Sequence, residues 1–318
     1  MTMTLISAAD LAGRLGASGP DASNVRVGDV RVGDVRVGDM RVGDMRVGDM
    51  RVGDVRVFDV RHDLTNHAAG RQAYDAGHIP GARHLDHETE LAAPRTGKNG
   101  RHPLPSRAEL GALMAAHGVT PQTLVVAYDA SGGMYAAHLW WMLRWLGHER
   151  VVVLDGGWQA WVAAGLPTTT DPAPAVQAGQ PVEPGAPLVA SVDAQAVLDN
   201  IDRPAFTVID ARAANRYRGE VEPMDPVAGH IPGALNRPNG ENLQADGSFK
   251  SAEQLRAEFD GLLGGRDPGA IVHQCGSGIT ACHNLLAMEI AGLSGSRLYP
   301  GSWSEWCSDP SRPVAKGA

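Results

Sequence analysis

Residues 270–291 read AIVHQCGSGITACHNLLAMEIA, and this segment contains the pattern that decides the fold. It begins with a short apolar run, AIV, which predicts a buried strand over residues 270–274, and an amphipathic run that predicts a helix begins near Ala281. Earlier in the chain, β-branched and amphipathic runs alternate in the same way, at residues 124–127, 136–146 and 151–154. Strands that alternate with helices predict an α/β fold, in which helices cover both faces of a parallel sheet.

Three sequence motifs occur twice in the same order, which indicates a duplicated domain. Residues 57–61 (VFDVR) correspond to 208–212 (VIDAR), 77–82 to 229–234 (both GHIPGA), and 154–161 (LDGGWQAW) to 298–306 (LYPGSWSEW). Between the copies, a segment rich in Pro, Ala, Thr and Gly lacks periodicity and is typical of a linker. We therefore predict a first domain over residues 1–167, a linker over 168–187, a second domain over 188–311 and a tail over 312–318.

A pentapeptide, RVGDV or RVGDM, is repeated in tandem from Arg26 and ends in a divergent seventh unit, RVFDV, at residues 56–60. The odd period turns successive valines to opposite faces of a strand, and in a helix it would rotate them around the axis. The repeat therefore builds no fixed apolar face. We predict an insertion over about residues 26–55, in loop or irregular strand conformation and without a part in the chemistry, followed by a buried strand in the seventh unit.

Composition excludes several classes of protein. The 318 residues are 43% apolar and carry a net charge of −8, a sign that argues against a nucleic-acid partner. No run of about 18 apolar residues and no basic leader is present, so we expect neither a membrane span nor a secretion signal. The three cysteines lack Cys-x-x-Cys spacing, which argues against a disulfide framework or a structural zinc site and favours a reducing cytoplasm. Nothing in the sequence calls for a metal ion or an organic cofactor.

The best candidate for chemistry is Cys275, which directly follows the strand predicted at residues 270–274. In a parallel sheet, ligands bind at the carboxyl ends of the strands. Converging backbone N–H groups and the positive end of the following helix favour the ionised thiol there, and Gly276 and Gly278 let the amides turn inward. The first domain carries Asp129 at the place of Cys275, and a carboxylate cannot accept and pass on a sulfur atom. We therefore predict one working domain and one silent domain.

These motifs together resemble the tandem rhodanese family of sulfurtransferases, over the whole chain apart from the pentapeptide insertion. The resemblance rests on the paired GHIPGA segments, on Asp129 in place of Cys275, on the loop at residues 275–280, and on the closing YPGSW at 299–303. It implies two rhodanese-like domains and no cofactor. It also implies that Cys275 takes a sulfane sulfur from a small-molecule donor, holds it as a persulfide, and passes it to cyanide or to a thiol such as thioredoxin or glutathione.

Within the family, the loop is most similar to that of the mercaptopyruvate sulfurtransferases, because it contains neither Lys nor Arg. The resemblance implies that Gly276, Gly278, Ile279 and Thr280 bind the donor and that Ser277 stabilises charge as the C–S bond breaks. Arg216 stands where the family places an arginine that binds the donor.

The position of a second substrate arginine holds Met224, so thiosulfate remains an alternative donor. From the first domain, the resemblance implies that Glu88 and His102 approach Ser277, with Glu88 in place of the family's Asp.

Two other classes of function are weaker. Cysteine phosphatases clamp their substrate with an Arg six residues after the Cys, where this chain has Ala281. A non-catalytic binding module fits the Asp129 half alone, but the complete loop around Cys275 argues against it for the whole chain. His78 and His230 recur in both halves, which favours a structural role in the turns before Pro80 and Pro232.

Overall fold

A computed structural model describes residues 3–16, 55–176, 179–180 and 182–317. The predicted pentapeptide insertion therefore lies outside the described residues, apart from Val55. The described strands are β1 (Leu5–Ile6), β2 (Val55–Asp59), β3 (Arg83–His84), β4 (Leu124–Tyr128), β5 (Val151–Leu154), β6 (Ala190–Ser191), β7 (Thr207–Asp210), β8 (Leu235–Asn236), β9 (Ile271–Gln274) and β10 (Arg297–Leu298). The described α-helices are α1 (Ala8–Leu15), α2 (Ala69–Ala76), α3 (Arg107–Ala116), α4 (Met134–Leu146), α5 (Gly157–Ala163), α6 (Ala194–Asp202), α7 (Ala214–Tyr217), α8 (Ala252–Leu263), α9 (Ala281–Ile290) and α10 (Ser302–Trp306).

The strands form two five-stranded sheets with the same topology. Their orders are β1-β5-β4-β2-β3 in the first domain and β6-β10-β9-β7-β8 in the second, and the paired strands are parallel. The predicted α/β class, with two tandem domains built on parallel sheets and flanking helices, is confirmed. The duplicated motifs therefore describe duplicated architecture.

Local chemistry explains where the central elements begin and end. α3 starts at a capping box in which the Ser106 hydroxyl accepts from the Glu109 N–H and the Glu109 carboxylate accepts from the Ser106 N–H. The strand predicted from Ala270 begins one residue later, because Asp267 accepts the N–H of Gly269 at 2.7 Å and holds Pro268–Ala270 in a 3-10 turn. β2 extends over Val55–Asp59, so the buried strand includes most of the seventh repeat unit.

Both faces of each sheet are buried, as expected for parallel strands. On β4, Val125 and Ala127 face a core that both domains share, whereas Val126 and Tyr128 face a separate core of the first domain. The shared core exists because α4 packs against α9 and brings buried side chains of both helices together. The carboxyl ends of β4 and β9, with Asp129 and Cys275, are carried on two domains in close contact.

A buried ion pair supports the turn before each GHIPG motif. In the first domain, Arg61 Nη2 lies 2.5 Å from Asp59 Oδ2, donates to the Gly77 carbonyl at 2.7 Å, and its guanidinium lies 4.6 Å from the centre of the Trp158 ring. The equivalent residues of the second domain are Asp210, Arg212, Gly229 and Trp303. The three duplicated motifs thus contact one another in each domain. The arrangement connects β2 to its turn and to α5 in the first domain, and β7 to its turn and to α10 in the second.

The histidines of the two turns also have matching contacts. His78 stacks on Tyr74 and His230 on Tyr217, each pair with ring centres 3.8 Å apart, and each Nδ1 lies 2.8 Å from the carbonyl oxygen of its stacking partner. Both rings thus tie the GHIPGA turn to the last turn of the preceding helix, α2 or α7. Within the described part of the chain, the longest helix is the 13-residue α4, and no helix combines the length and the apolar character needed to cross a bilayer.

Candidate active site

Cys275 lies at the carboxyl end of β9, in the loop that leads to α9. The residue is 1% exposed, and its Sγ accepts the Gly278 N–H at 3.2 Å. Gly278 has φ +90°, and a Cβ there would lie 2.4 Å from the carbonyl oxygen of Pro300. Glycine is therefore required at this position for the amide to reach the sulfur.

Ser302 holds the cysteine backbone from the neighbouring strand-to-helix turn. Its Oγ accepts the Cys275 N–H at 3.0 Å and donates to the Tyr299 carbonyl at 2.9 Å, while the Trp303 N–H donates to the Cys275 carbonyl at 3.0 Å. Ser302 has φ +53°, a strained conformation for a residue other than glycine. Sequence reasoning does not find this residue; the signal is its alignment with Gly157 of the first domain, where φ is +55°.

A chain of hydrogen bonds joins the Cys275 loop to the first domain. Ser277 Oγ lies 2.8 Å from His102 Nδ1, and His102 Nε2 lies 2.7 Å from Glu88 Oε1. Burial lowers the pKa of His102 to about 4, against the opposing effect of Glu88. Burial alone would raise the pKa of Glu88, but the hydrogen bond from His102 and the nearby Arg95 lower it. The structure thus brings Glu88, His102 and Ser277 together, and His102 is neutral near pH 7.

Two arginines lie over the mouth of the loop. A Cβ at Gly276 would lie 2.7 Å from Arg101 Nη2 and 3.7 Å from Arg216 Nη1. Arg101 pairs with Asp225 Oδ1, and Arg216 Nη2 lies 3.4 Å from Asp225 Oδ2 and 2.6 Å from Glu222 Oε1. The carboxylates hold both guanidinium groups beside Gly276, where a small anion can approach them.

Sequence reasoning predicts Arg216 at this mouth but not Arg101. Arg101 belongs to the other domain, next to His102 in the chain, and only the packing of the two domains brings it to Gly276. Its position next to His102 could have indicated this role for Arg101, since a segment that places His102 at the loop also places the neighbouring residues close to it.

The predicted loop residues have different surroundings. Ile279 is 2% exposed and its side chain packs in the shared core, so only its backbone remains for the loop. Thr280 is half-buried and precedes α9 without capping it through its side chain. The loop mouth is therefore formed chiefly by Gly276 and the two arginines.

The equivalent loop of the first domain is occupied by its own carboxylate. Asp129 is fully buried and accepts four backbone N–H groups at 2.7–2.9 Å. The donors are Ser131, Gly133, Tyr135 and Ala136. Burial raises the pKa of Asp129, whereas these four hydrogen bonds act in the opposite direction. This loop holds an anion within the chain itself and presents no nucleophile at the position of Cys275.

A group of potential metal ligands adjoins the same hydrogen-bond chain. His62, His67 and Glu88 place one ligand atom each within 4.8 Å of one another. The sequence does not predict this group, because Glu88 comes from a different segment of the first domain than His62 and His67, which lie five residues apart in one loop.

Two parallel-sheet domains with a cysteine loop at the carboxyl end of a strand define a class of protein, and comparison with known families identifies the same class. Residues 48–164 and 193–309 each match the rhodanese-like domain, so the chain belongs to the rhodanese family, with two domains in tandem. The predicted resemblance is confirmed.

The most informative relatives are enzymes of sulfur transfer. The chain is 47% identical over 256 residues to a probable 3-mercaptopyruvate sulfurtransferase from Pseudomonas aeruginosa, covering 80% of this chain and 89% of the relative. It is 40% identical to a putative thiosulfate sulfurtransferase from Mycobacterium tuberculosis, covering 78% and 86%. Among solved structures, a 3-mercaptopyruvate sulfurtransferase from Leishmania major matches with a TM-score of 0.70 and 31% identity, covering 80% of this chain and 70% of that one. The chain is thus similar to enzymes named for either donor, and the prediction of a sulfurtransferase is confirmed.

Proposed function

We propose that this sulfurtransferase takes sulfur from 3-mercaptopyruvate onto Cys275 as a persulfide and then transfers it to a thiol or to cyanide. The single observation that carries the choice of donor is the Glu88–His102–Ser277 chain, which reaches the Cys275 loop with contacts of 2.7 and 2.8 Å. With 3-mercaptopyruvate the leaving group is pyruvate enolate, whose carbon must receive a proton, so a proton path is needed. It is not needed when thiosulfate leaves sulfite behind.

The first half-reaction balances without a cofactor. The Cys275 thiolate attacks the donor sulfur, the C–S bond breaks, and its electron pair remains on the carbon as pyruvate enolate. The proton of the donor thiol passes through Ser277 and His102 to the enolate carbon, which gives pyruvate and a Cys275 persulfide anion. A neutral His102 can accept this proton at Nδ1 while Glu88 keeps Nε2–H in place.

Loop amides and arginines supply the charge stabilisation. The Gly278 N–H already donates to Cys275 Sγ, and the inward-facing loop can hold the outer sulfur of the persulfide anion. Arg101 and Arg216 lie where they can bind the donor carboxylate, and Arg101 provides a second cation that Met224 cannot. The arginine pair would also suit the thiosulfate dianion, which is the reason to keep thiosulfate as the second candidate.

The second half-reaction returns the enzyme to its starting state. An acceptor thiolate, as in thioredoxin or glutathione, or cyanide attacks the outer sulfur, and the S–S bond breaks to release the Cys275 thiolate. We place this chemistry in a reducing cytoplasm, where acceptor thiols are available and Cys275, Cys282 and Cys307 stay free.

The decisive experiment compares the two donors on the same preparation. We expect pyruvate release from 3-mercaptopyruvate to be faster than thiocyanate formation from thiosulfate and cyanide. Mass spectrometry without acceptor should find one added sulfur atom on the peptide that contains Cys275. The opposite ranking of rates would transfer the proposal to thiosulfate, and an unmodified Cys275 peptide would refute the persulfide mechanism.

A further inference from the structure

Three imidazoles surround one carboxylate oxygen of the first domain. Besides His102 Nε2 at 2.7 Å, Glu88 Oε1 lies 3.4 Å from His67 Nδ1 and 3.8 Å from His62 Nε2. The other oxygen, Oε2, pairs with Arg95. The hydrogen bond to His102 gives one of the three imidazoles a role and leaves His62 and His67 without one.

His62 is the unusual member of this group. Its side chain is 1% exposed, and its Nε2 has no hydrogen-bond partner among the described residues. A buried polar atom without a partner costs free energy, and a bound ion is one way in which a protein satisfies such an atom. His62 Nε2 lies on the side of the ring that faces Glu88. A ligand that bound this nitrogen would therefore also lie close to the Glu88 carboxylate.

The chemistry of the donor set fits a borderline divalent cation. Two imidazole nitrogens and one carboxylate oxygen form a ligand combination typical of zinc, with bonds of about 2.0–2.2 Å. The three ligand atoms lie within 4.8 Å of one another, so small rotations of the side chains would place one ion in contact with all of them. His67 is 57% exposed, which gives the ion a path from solvent and leaves room for water as a fourth ligand.

We propose that His62, His67 and Glu88 bind a divalent cation of the zinc class, and that the bound cation slows sulfur transfer. The cation would be coordinated by Glu88 Oε1, the oxygen that accepts the hydrogen bond from His102. Coordination would therefore weaken the hydrogen-bond chain to Ser277. The effect on turnover rests on the proposed function, whereas binding of the cation does not. The site would make the rate of persulfide formation sensitive to free zinc.

The binding test uses the full chain with Cys275→Ser, which removes the reactive thiol as a competing ligand. Calorimetric titration with Zn²⁺ should give one site per chain, and His67→Ala in the same background should weaken binding at least about tenfold. His67 is exposed, so this substitution leaves the core intact. His117→Ala, in another part of the same domain, is the matched control and should leave the affinity unchanged. Absence of a site, or equal affinity with His67→Ala, would overturn the proposal.

The turnover test measures single-turnover pyruvate release at buffered free Zn²⁺, without acceptor. Zinc should slow the chain that retains Cys275, and a chelator should restore the rate. Relative to its own zinc-free rate, His67→Ala should require at least about ten times more zinc for the same fractional inhibition. Equal inhibition of both chains would overturn the coupling to turnover. Inactivity of the chain toward both donors would refute the proposed function. The calorimetric titration would still show whether the metal site binds Zn²⁺.

Discussion

The loops that begin at Asp129 and Cys275 occupy the same place in two copies of one fold, yet the two side chains bind the surrounding backbone N–H groups differently. Asp129 accepts two N–H groups of its own loop and two of the first turn of α4, whereas in the described residues the Cys275 sulfur accepts the Gly278 N–H. A carboxylate fills the ring of amides and completes the structure of the silent domain. In the proposed function, the Cys275 loop uses its remaining amides to hold a second sulfur atom, which makes this loop the site of the chemistry.

The two loops also differ in what the opposite domain brings to them. The Cys275 loop receives His102 and Arg101 from the first domain. The Asp129 loop receives packing: a Cβ at Gly132 would lie 2.5 Å from a Leu243 methyl group, and His283 Nε2 lies 2.9 Å from the Gly132 carbonyl oxygen. The opposite domain thus brings a cation and a histidine to the Cys275 loop, whereas it brings an apolar side chain and a backbone-bonded histidine to the Asp129 loop.

Replacing the nucleophile is the strongest way to test this contrast. Cys275→Ser should lower turnover with either donor at least about 1,000-fold, because a hydroxyl cannot hold the transferred sulfur. Adding Asp129→Cys to that chain should not restore activity, since His283 contacts this loop through the Gly132 carbonyl and not through a serine hydroxyl, and Leu243 covers the loop. Steady-state rates, with circular dichroism as the control for folding, provide the measurement. Recovery of activity in the double variant would show that the position alone makes a site.

Acidification tests the neutral rings that both domains bury. Burial lowers the pKa of His138 and His273 to about 3 and that of His283 to about 4. The unfolded chain binds protons at these residues near pH 6.5, so their stability contribution is complete above that pH and is lost as pH falls toward the folded pKa. These three rings together should lower the free energy of unfolding by about 4 kcal/mol between about pH 7 and pH 5.5. His273→Gln should reduce this loss by about 1 kcal/mol, and an unchanged pH profile would contradict the explanation.

Removing the carboxylate should affect the supporting loop through stability. Asp129→Ala leaves four buried N–H groups without their acceptor and should lower the free energy of unfolding by about 3 kcal/mol. Urea denaturation measures this loss, and the folded variant should still form the persulfide at Cys275. Asp129→Asn, which keeps one acceptor oxygen, is the matched control with a smaller loss. Wild-type stability in Asp129→Ala would mean that the four hydrogen bonds are replaced by water at no cost.

Loss of the proton path should separate the two donors. His102→Asn should lower kcat with 3-mercaptopyruvate about 10- to 100-fold, because the ring can no longer move the proton to the enolate carbon. Persulfide formation from thiosulfate should change much less, since sulfite needs no such proton. An equal fall with both donors would indicate that His102 merely positions Ser277.

The arginine pair should produce the smallest change. Arg101→Met should raise the KM for 3-mercaptopyruvate about tenfold through loss of a charge-assisted contact with the carboxylate. Arg216→Met should act similarly, whereas Arg71→Met, at a site 64% exposed, should leave KM unchanged. A wild-type KM in Arg101→Met would remove Arg101 from the donor site.

Much of the fold could be predicted because its signals are local. The apolar run before Cys275, the glycines after it and the amphipathic run from Ala281 are each readable within a few residues, and the repeated motifs extend the prediction to the other domain. The start of the strand before Cys275 shifted by one residue because the turn at Pro268–Ala270 competes with it. Such a shift follows from a single hydrogen bond that composition does not reveal.

The sequence by itself determined the duplicated α/β architecture, the family and the position of Cys275 directly after a strand, because periodicity, glycine placement and the choice of Asp129 or Cys275 act along the chain. Only the tertiary structure decided which groups meet the Cys275 loop: Arg101 lies beside Gly276 and His102 contacts Ser277, both from the other domain. The same is true of the group formed by His62, His67 and Glu88. Contacts between distant segments depend on side-chain packing in three dimensions, and linear spacing carries no measure of it.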